Sequence, residues 1–185
     1  MIFQAINCIE TQLKLNPPDI KAVAGNIGEI IAGGNANNID DDIVISLINI
    51  EENRISRDPR NYVKSGTDVL LKNPAVHLNL TLLFTAIRSD VAYGPALQNL
   101  QRVIQFFQSK YVFDHTNTPT LDPGIEKLIL EMVSLNMEQL HQLWAMLGGR
   151  YQPSVVYAMR MVTIDSISAT TGSIVKEIET NYYVK

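Results

Sequence analysis

The sequence predicts an α+β domain in which a largely antiparallel sheet is covered by helices, and three observations carry that prediction. Val76, Leu78, Leu80, Leu82, Phe84 and Ala86 alternate with His77, Asn79, Thr81 and Thr85, the period-two pattern of a strand with one buried face. Tyr93, Leu97, Leu100, Val103, Ile104 and Phe107 instead recur at the three- and four-residue steps of one helical face. Segments of the two kinds follow one another as helix, strand, strand, helix, strand, helix, strand, an order that suits helices laid on an antiparallel sheet. A length of 185 residues fits one domain with a tail better than two domains.

Taken in order, Ile2, Ala5, Ile6, Ile9 and Leu13 lie on one face of a helix from Met1 to Leu15, which Asn16-Pro17-Pro18 ends. Lys21 to Asp42 holds Gly25, Gly28, Gly33, Gly34 and the asparagines 35, 37 and 38, so it reads as a surface connection. Ile43 to Ile50 is β-branched and flanked by Asp40-Asp41-Asp42 and Glu51-Glu52-Asn53, the mark of a buried strand. Arg54 to Lys72 has few apolar anchors and is expected to be a long, mobile excursion. The alternating strand is expected over Ala75–Ile87, where about 3.3 Å per residue makes it long enough to project beyond its sheet.

The next helix is expected over about Val91–Gln108. Gly124 to Leu135 fits either period, and Asn136 decides for a strand: with Gln139 three residues on, it forms a capping box that opens a fresh helix closing at Gly148-Gly149. Pro153 introduces a last strand over Ser154–Ile164. The domain is therefore expected to occupy residues 1–164, with 165–185 as a C-terminal tail or arm carrying isolated apolar anchors.

Composition narrows the function. Hydrophobic residues at 46% and a mean hydropathy of +0.03 supply a core. Fifteen basic against nineteen acidic side chains leave a net charge of −4, which argues against a nucleic-acid-tracking surface. Cys8 is the single cysteine, so neither an internal disulfide nor a cysteine zinc cage can form, and the composition suits a reducing cytoplasm. The N-terminal stretch lacks a basic region and is broken by Gln4 and Asn7, so it reads as neither signal peptide nor membrane span.

The common motifs of catalytic chemistry are absent from the sequence. There is no phosphate loop ending in Gly-Lys-Ser or Gly-Lys-Thr, no Gly-x-Ser-x-Gly elbow and no His-Glu-x-x-His helix, so no enzyme, cofactor or metal is expected. His77, His115 and His141 fall on a strand, a loop and a helix without metal-ligand spacing. Cys8 on an apolar helix face reads as a small buried hydrophobe, and Asp40–Asp42 with Glu51 and Glu52 as solvated strand flanks. Asn79-Leu80-Thr81 matches a glycosylation sequon in mid-strand and is read as accidental, and Trp144 and Tyr157 are read as core.

Several ordered segments carry a resemblance: Ile43-Val44-Ile45-Ser46-Leu47-Ile48-Asn49-Ile50-Glu51-Glu52, Asn73-Pro74-Ala75-Val76-His77-Leu78-Asn79-Leu80, and Val103-Ile104-Gln105-Phe106-Phe107-Gln108. They are followed by His141-Gln142-Leu143-Trp144 with Leu147-Gly148, and by Tyr151-Gln152-Pro153-Ser154-Val155-Val156-Tyr157. Over about Gly25–Val162 the combination resembles the N-terminal domain of cap proteins, or tail terminators, of phage-tail-like contractile injection systems. The resemblance implies a non-enzymatic structural protein, similar in fold to phage tail terminators, that forms a six-fold ring on the inner tube and sheath. It implies assembly in the cytoplasm, a place in a particle that is released or membrane-anchored, and no direct contact with membrane or nucleic acid. Two segments are then the candidate partner-binding sites. Arg54, Arg57, Arg60 and Lys64 make a locally basic loop on an acidic protein, suited to an acidic rim. Ile174, Val175, Ile178, Tyr182 and Val184 are apolar anchors suited to strand addition onto a neighbour; alternatively Ile174, Val175 and Ile178 have the spacing of a short helix from about Ser173 packed on its own subunit. The competing reading is a small-ligand or regulatory binding domain with a pocket beside the sheet, which requires a deep, polar-lined hollow.

Overall fold

The strand with the clearest alternation lies near the middle of the larger of two sheets. The structure is a computed structural model that describes residues 1–15, 20–33, 43–53, 62–65, 68–73, 77–87, 93–163 and 166–172, with backbone alone for 62–65, 68–73 and 166–172. In chain order the elements are α1 (Ile2–Leu15), β1 (Ala22–Ala24), α2 (Ile27–Ala32), β2 (Ile43–Glu52), β3 (Tyr62–Ser65), β4 (Asp68–Asn73) and β5 (Leu78–Ala86). They continue with α3 (Tyr93–Ser109), β6 (Val112–Asp114), β7 (Ile125–Val133), α4 (Met137–Met146), β8 (Ser154–Thr163) and β9 (Ser166–Gly172).

The larger sheet has the order β1-β2-β5-β8-β7-β6, antiparallel throughout except for the β1–β2 pair, and the smaller has the order β3-β4-β9. Alternation along the strands sorts side chains onto two faces. On one, Ile43, Ile45, Leu80, Leu82, Phe84, Leu128, Leu130, Met159 and Met161 pack with the apolar stripes of α1 and α3. Phe84, Phe107 and Tyr157 meet there, with ring centroids 5.3, 5.5 and 4.7 Å apart. On the other face Val44, Leu83 and Val156 pack with Ile27 of α2 and Trp144 of α4. The α+β fold with its largely antiparallel, helix-covered sheet is thus as predicted. Both faces of β5 are buried toward Ala86, however, where one had been expected.

The capping box opens α4 as read: Asn136 Oδ1 accepts from Gln139 N at 2.8 Å, and Gln139 Oε1 accepts from Asn136 N at 3.0 Å. Gly148 and Gly149 close it at φ +106° and +77°, a conformation that favours glycine. The strand chosen for Gly124–Leu135 is β7, and the one for Ser154–Ile164 is β8.

Three expectations need correction, and the C-terminal segment gains a strand. Lys21–Asp42 is not merely a surface connection, because it contains β1 and α2. Burial overrides its glycine-rich composition: Ala22 and Ile27 are fully buried, and Ser46 Oγ donates to Gly25 O at 2.7 Å and accepts from Ile27 N at 3.1 Å. Gly28 suits a close approach, since a Cβ there would lie a tight 3.3 Å from the backbone oxygen of Leu147. Arg54–Lys72 is not one long excursion, because β3 and β4 pair as a hairpin from Tyr62↔Leu71 to Ser65↔Asp68. The buried strand at Ile43–Ile50 is buried only over Ile43–Ser46, and a register shift between Leu47 and Asn49 follows. The segment read as tail or arm begins with β9, paired antiparallel to β4 from Asn73↔Ser166 to Val69↔Gly172. The helix alternative from Ser173 lies outside the described residues.

Candidate interaction surface

The side chains named for catalysis or metal binding are dispersed. His77 Nδ1 accepts from Thr163 N at 3.4 Å, and His115 Nε2 donates to Ile125 O at 2.8 Å, so both serve local structure. Among the described residues no group of three or more His, Cys, Asp or Glu could hold a metal. The acidic run Asp40–Asp42 lies outside them. Cys8 is buried, and that burial pushes its thiol pKa up, against a smaller opposing effect of the nearby Lys110 ammonium. A raised pKa disfavours the thiolate that a nucleophile needs. Among the described residues no helix is long and apolar enough to cross a membrane.

Of the partner-binding residues read from sequence, Lys64 sits on β3. Arg54, Arg57 and Arg60, and with them Ile174, Val175, Ile178, Tyr182 and Val184, lie outside the described residues.

The described residues show a different surface, one that the sequence reading passed over. The charge-poor helix α4 buries Trp144 against the sheet but leaves Met137 80% and Met146 70% exposed, with Tyr151 beside it at 58%. Tyr151 stands edge-on to Trp144, ring centroids 5.8 Å apart. Met137, Leu140, His141, Trp144, Ala145 and Tyr151 line a half-open hollow of about 250 Å³. Such a surface, apolar and aromatic with an adaptable methionine at Met137, has the character of a protein interface core. Spacing alone does not reveal it: Met137 sits at the edge of the stripe of Leu140, Leu143, Trp144 and Leu147, close to Trp144, and only Met146 falls clearly off it.

The hollow does not suit the small-ligand reading. It is apolar rather than polar-lined and falls below the about 300–1,000 Å³ usual for drug-sized ligands. A more polar hollow at Gln4, Asn7, Cys8, Thr11, Thr120 and Asp122 is smaller still, about 180 Å³.

The edges of the larger sheet are less inviting than α4. Each edge strand, β1 and β6, is three residues long. The register shift in β2 breaks its regular edge, and Asn49 Oδ1 accepts from Ile50 N at 2.9 Å. Short edge strands, bulges and side-chain caps are the usual means of blunting strand addition.

Comparison with known proteins places this geometry. Residues 7–177 match a family described as the Pvc16 N-terminal domain. Among solved structures, the chain is similar to the PVC sheath/tube terminator of an extracellular contractile injection system in its extended state, with TM-score 0.61 and 14% identity. That match covers 100% of this chain and 65% of the other. It is also similar to the tube-terminating cap of the anti-feeding prophage, with TM-score 0.64 and 16% identity over 96% of this chain and 60% of that one. At these identities the likeness establishes a shared fold, and the chain spans only 65% and 60% of the two neighbours' lengths. No curated protein matches the chain.

Proposed function

The chain belongs to the Pvc16 N-terminal domain family, and from that premise we propose that it is a structural cap protein that terminates the tube, the sheath or both in a contractile injection system. The observation that carries the proposal is the family match, which runs from residue 7 to residue 177 and so takes in both sheets and all but the start of α1. The terminator folds of the two structural neighbours support it.

The role is mechanical. A terminator stops the addition of further tube and sheath subunits by presenting the last layer with a surface that binds it and offers no copy of itself for the next. Six copies in a head-to-tail ring match a six-fold tube, and a rotation that closes gives a ring rather than a filament. Arg54, Arg57, Arg60 and Lys64 orient docking on an acidic tube or sheath rim, where complementary charge contributes more to register and on-rate than to affinity. Ile174, Val175, Ile178, Tyr182 and Val184 bind a neighbouring protein. Residues 1–164 act as the ring-forming domain, with 165–185 as its extension. Assembly takes place in the cytoplasm, and the finished particle carries the cap without direct membrane contact. No nucleic acid, cofactor or catalysis enters this role.

The test is particle assembly with and without the protein, and with Arg57 and Arg60 both changed to Glu. Loss of the protein is expected to give particles of irregular length, and the double reversal to impair capping while leaving the circular dichroism spectrum unchanged. Uniform particles without the protein would remove the terminator role. Normal capping by the reversed variant would reduce the basic loop to a spacer.

A further inference from the structure

We propose that the apolar hollow on α4 receives the segment Ile174–Tyr182 of a neighbouring copy of this chain. The inference rests on the ring reading for the presence of that neighbour, and on the features of groove and segment for the pairing itself.

The groove has no charged residue in its lining, and Glu138 and Arg150 are the charged residues nearest it in sequence. Its occupant must therefore bring apolar side chains and little net charge, because a lone charge taken out of water there would have no partner. The segment meets both conditions. Ile174, Ile178 and Tyr182 recur at four-residue steps and Val175 falls beside them, so in helical form all four share one face. Lys176, Glu177 and Glu179 lie off that face and leave a near-neutral balance. A helix laid in an apolar groove is read through such anchors. Val184 lies off the stripe and is not part of the contact.

Topology favours a neighbour's segment over the chain's own. α4 leads through Gly148-Gly149 to the Ser154 end of β8, whereas the C-terminal segment departs beyond the Thr163 end. At about 3.3 Å per residue the length of β8 separates these ends by about 30 Å. β9 then pairs with β4 and holds Gly172 opposite Val69. Ile174 follows only two residues later, a reach of about 7 Å. In a head-to-tail ring the same segment faces the next copy, and a heterologous contact of this kind closes with the ring.

Single-cysteine additions to the full chain test the pairing. Ala145→Cys in one preparation and Ile178→Cys in another are mixed and oxidised, with the buried Cys8 common to both. Gln105→Cys, on the exposed side of α3, replaces Ala145→Cys as the collision control. The expected result is a disulfide-linked dimer of Ala145→Cys with Ile178→Cys that forms at least about tenfold faster than the control pair, as an enforced local concentration requires. Equal rates overturn the inference. Closure of the bond inside a diluted chain carrying both Ala145→Cys and Ile178→Cys assigns the groove to the chain's own segment and overturns it equally. Light scattering on the same samples separates the two readings: oligomers without the fast cross-link sink only this pairing, while a strict monomer sinks the ring and the pairing together.

Discussion

Changing Trp144 to Ala separates the part of α4 that holds the fold from the part free to dock. Trp144 is 3% exposed and packs with Ile27, Val44, Leu83, Ile87 and Val156. Truncating a buried tryptophan costs about 3–5 kcal/mol through lost transfer energy and the cavity left behind. One feature lowers that cost. Trp144 Nε1 is buried without a hydrogen-bond partner among the described residues, and an unsatisfied donor already costs about 1–3 kcal/mol. The expected loss therefore lies at the low end, about 3 kcal/mol, or about 6–12 °C in Tm for a domain of this size. Trp144→Phe removes the unpaired donor and keeps a ring, so its cost is expected below about 1.5 kcal/mol. Met137→Ser, at a position 80% exposed on the same groove, is expected within about 0.5 kcal/mol of the parent. Urea unfolding followed by circular dichroism measures all three. A loss under about 1 kcal/mol for Trp144→Ala, or equal losses for Trp144→Ala and Met137→Ser, would refute the division of α4 into a structural and an open face.

Further predictions concern single elements. Asn136→Ala removes the cap that accepts from Gln139 N and is expected to cost about 1 kcal/mol, read as a fall of about 2–4 °C in Tm; an unchanged Tm contradicts the capping assignment. Phe84→Ala removes a fully buried ring that meets Phe107 and Tyr157 and is expected to cost about 3–5 kcal/mol, with Phe84→Leu much milder; denaturant midpoints that coincide for the two variants count against it. Asp114 accepts from the Thr116 hydroxyl at 2.5 Å and from the backbone N–H groups of Asn117 and Thr116 at 3.0 and 2.9 Å, so its carboxyl is held below the ordinary 3.8. Its stabilising effect on the turn is full above 3.8 and is lost as pH falls through the lower folded-state value. A carboxyl-carbon NMR titration with its midpoint at or above 3.8 contradicts this.

The elements legible in the sequence are those whose local signals agree with their burial. β5 shows alternation, α3 a helical stripe, and Asn136 with Gln139 settled β7 by starting α4 where it does. The elements that were missed owe their formation to distant partners. β1 and α2 arise because Ser46, nineteen residues from Ile27, bonds to both Gly25 and Ile27. β6 is a three-residue strand that exists by pairing with Lys127–Ile129. The β3-β4-β9 sheet joins Val69 to Gly172 across the length of the chain, which no local window can reveal. The site was less legible than the fold. The charged loop and apolar tail were conspicuous in composition, whereas the open face of α4 is visible only once burial separates Trp144 from Met137 and Met146.

The central claim is tested most directly by locating the protein on the particle. A bulky label fused after Lys185 and imaged by negative-stain electron microscopy is predicted to mark one end of each extended particle, as one ring per particle with six-fold averages. Label scattered along the sheath, or absent from intact particles that are nonetheless of uniform length, would contradict the terminator account.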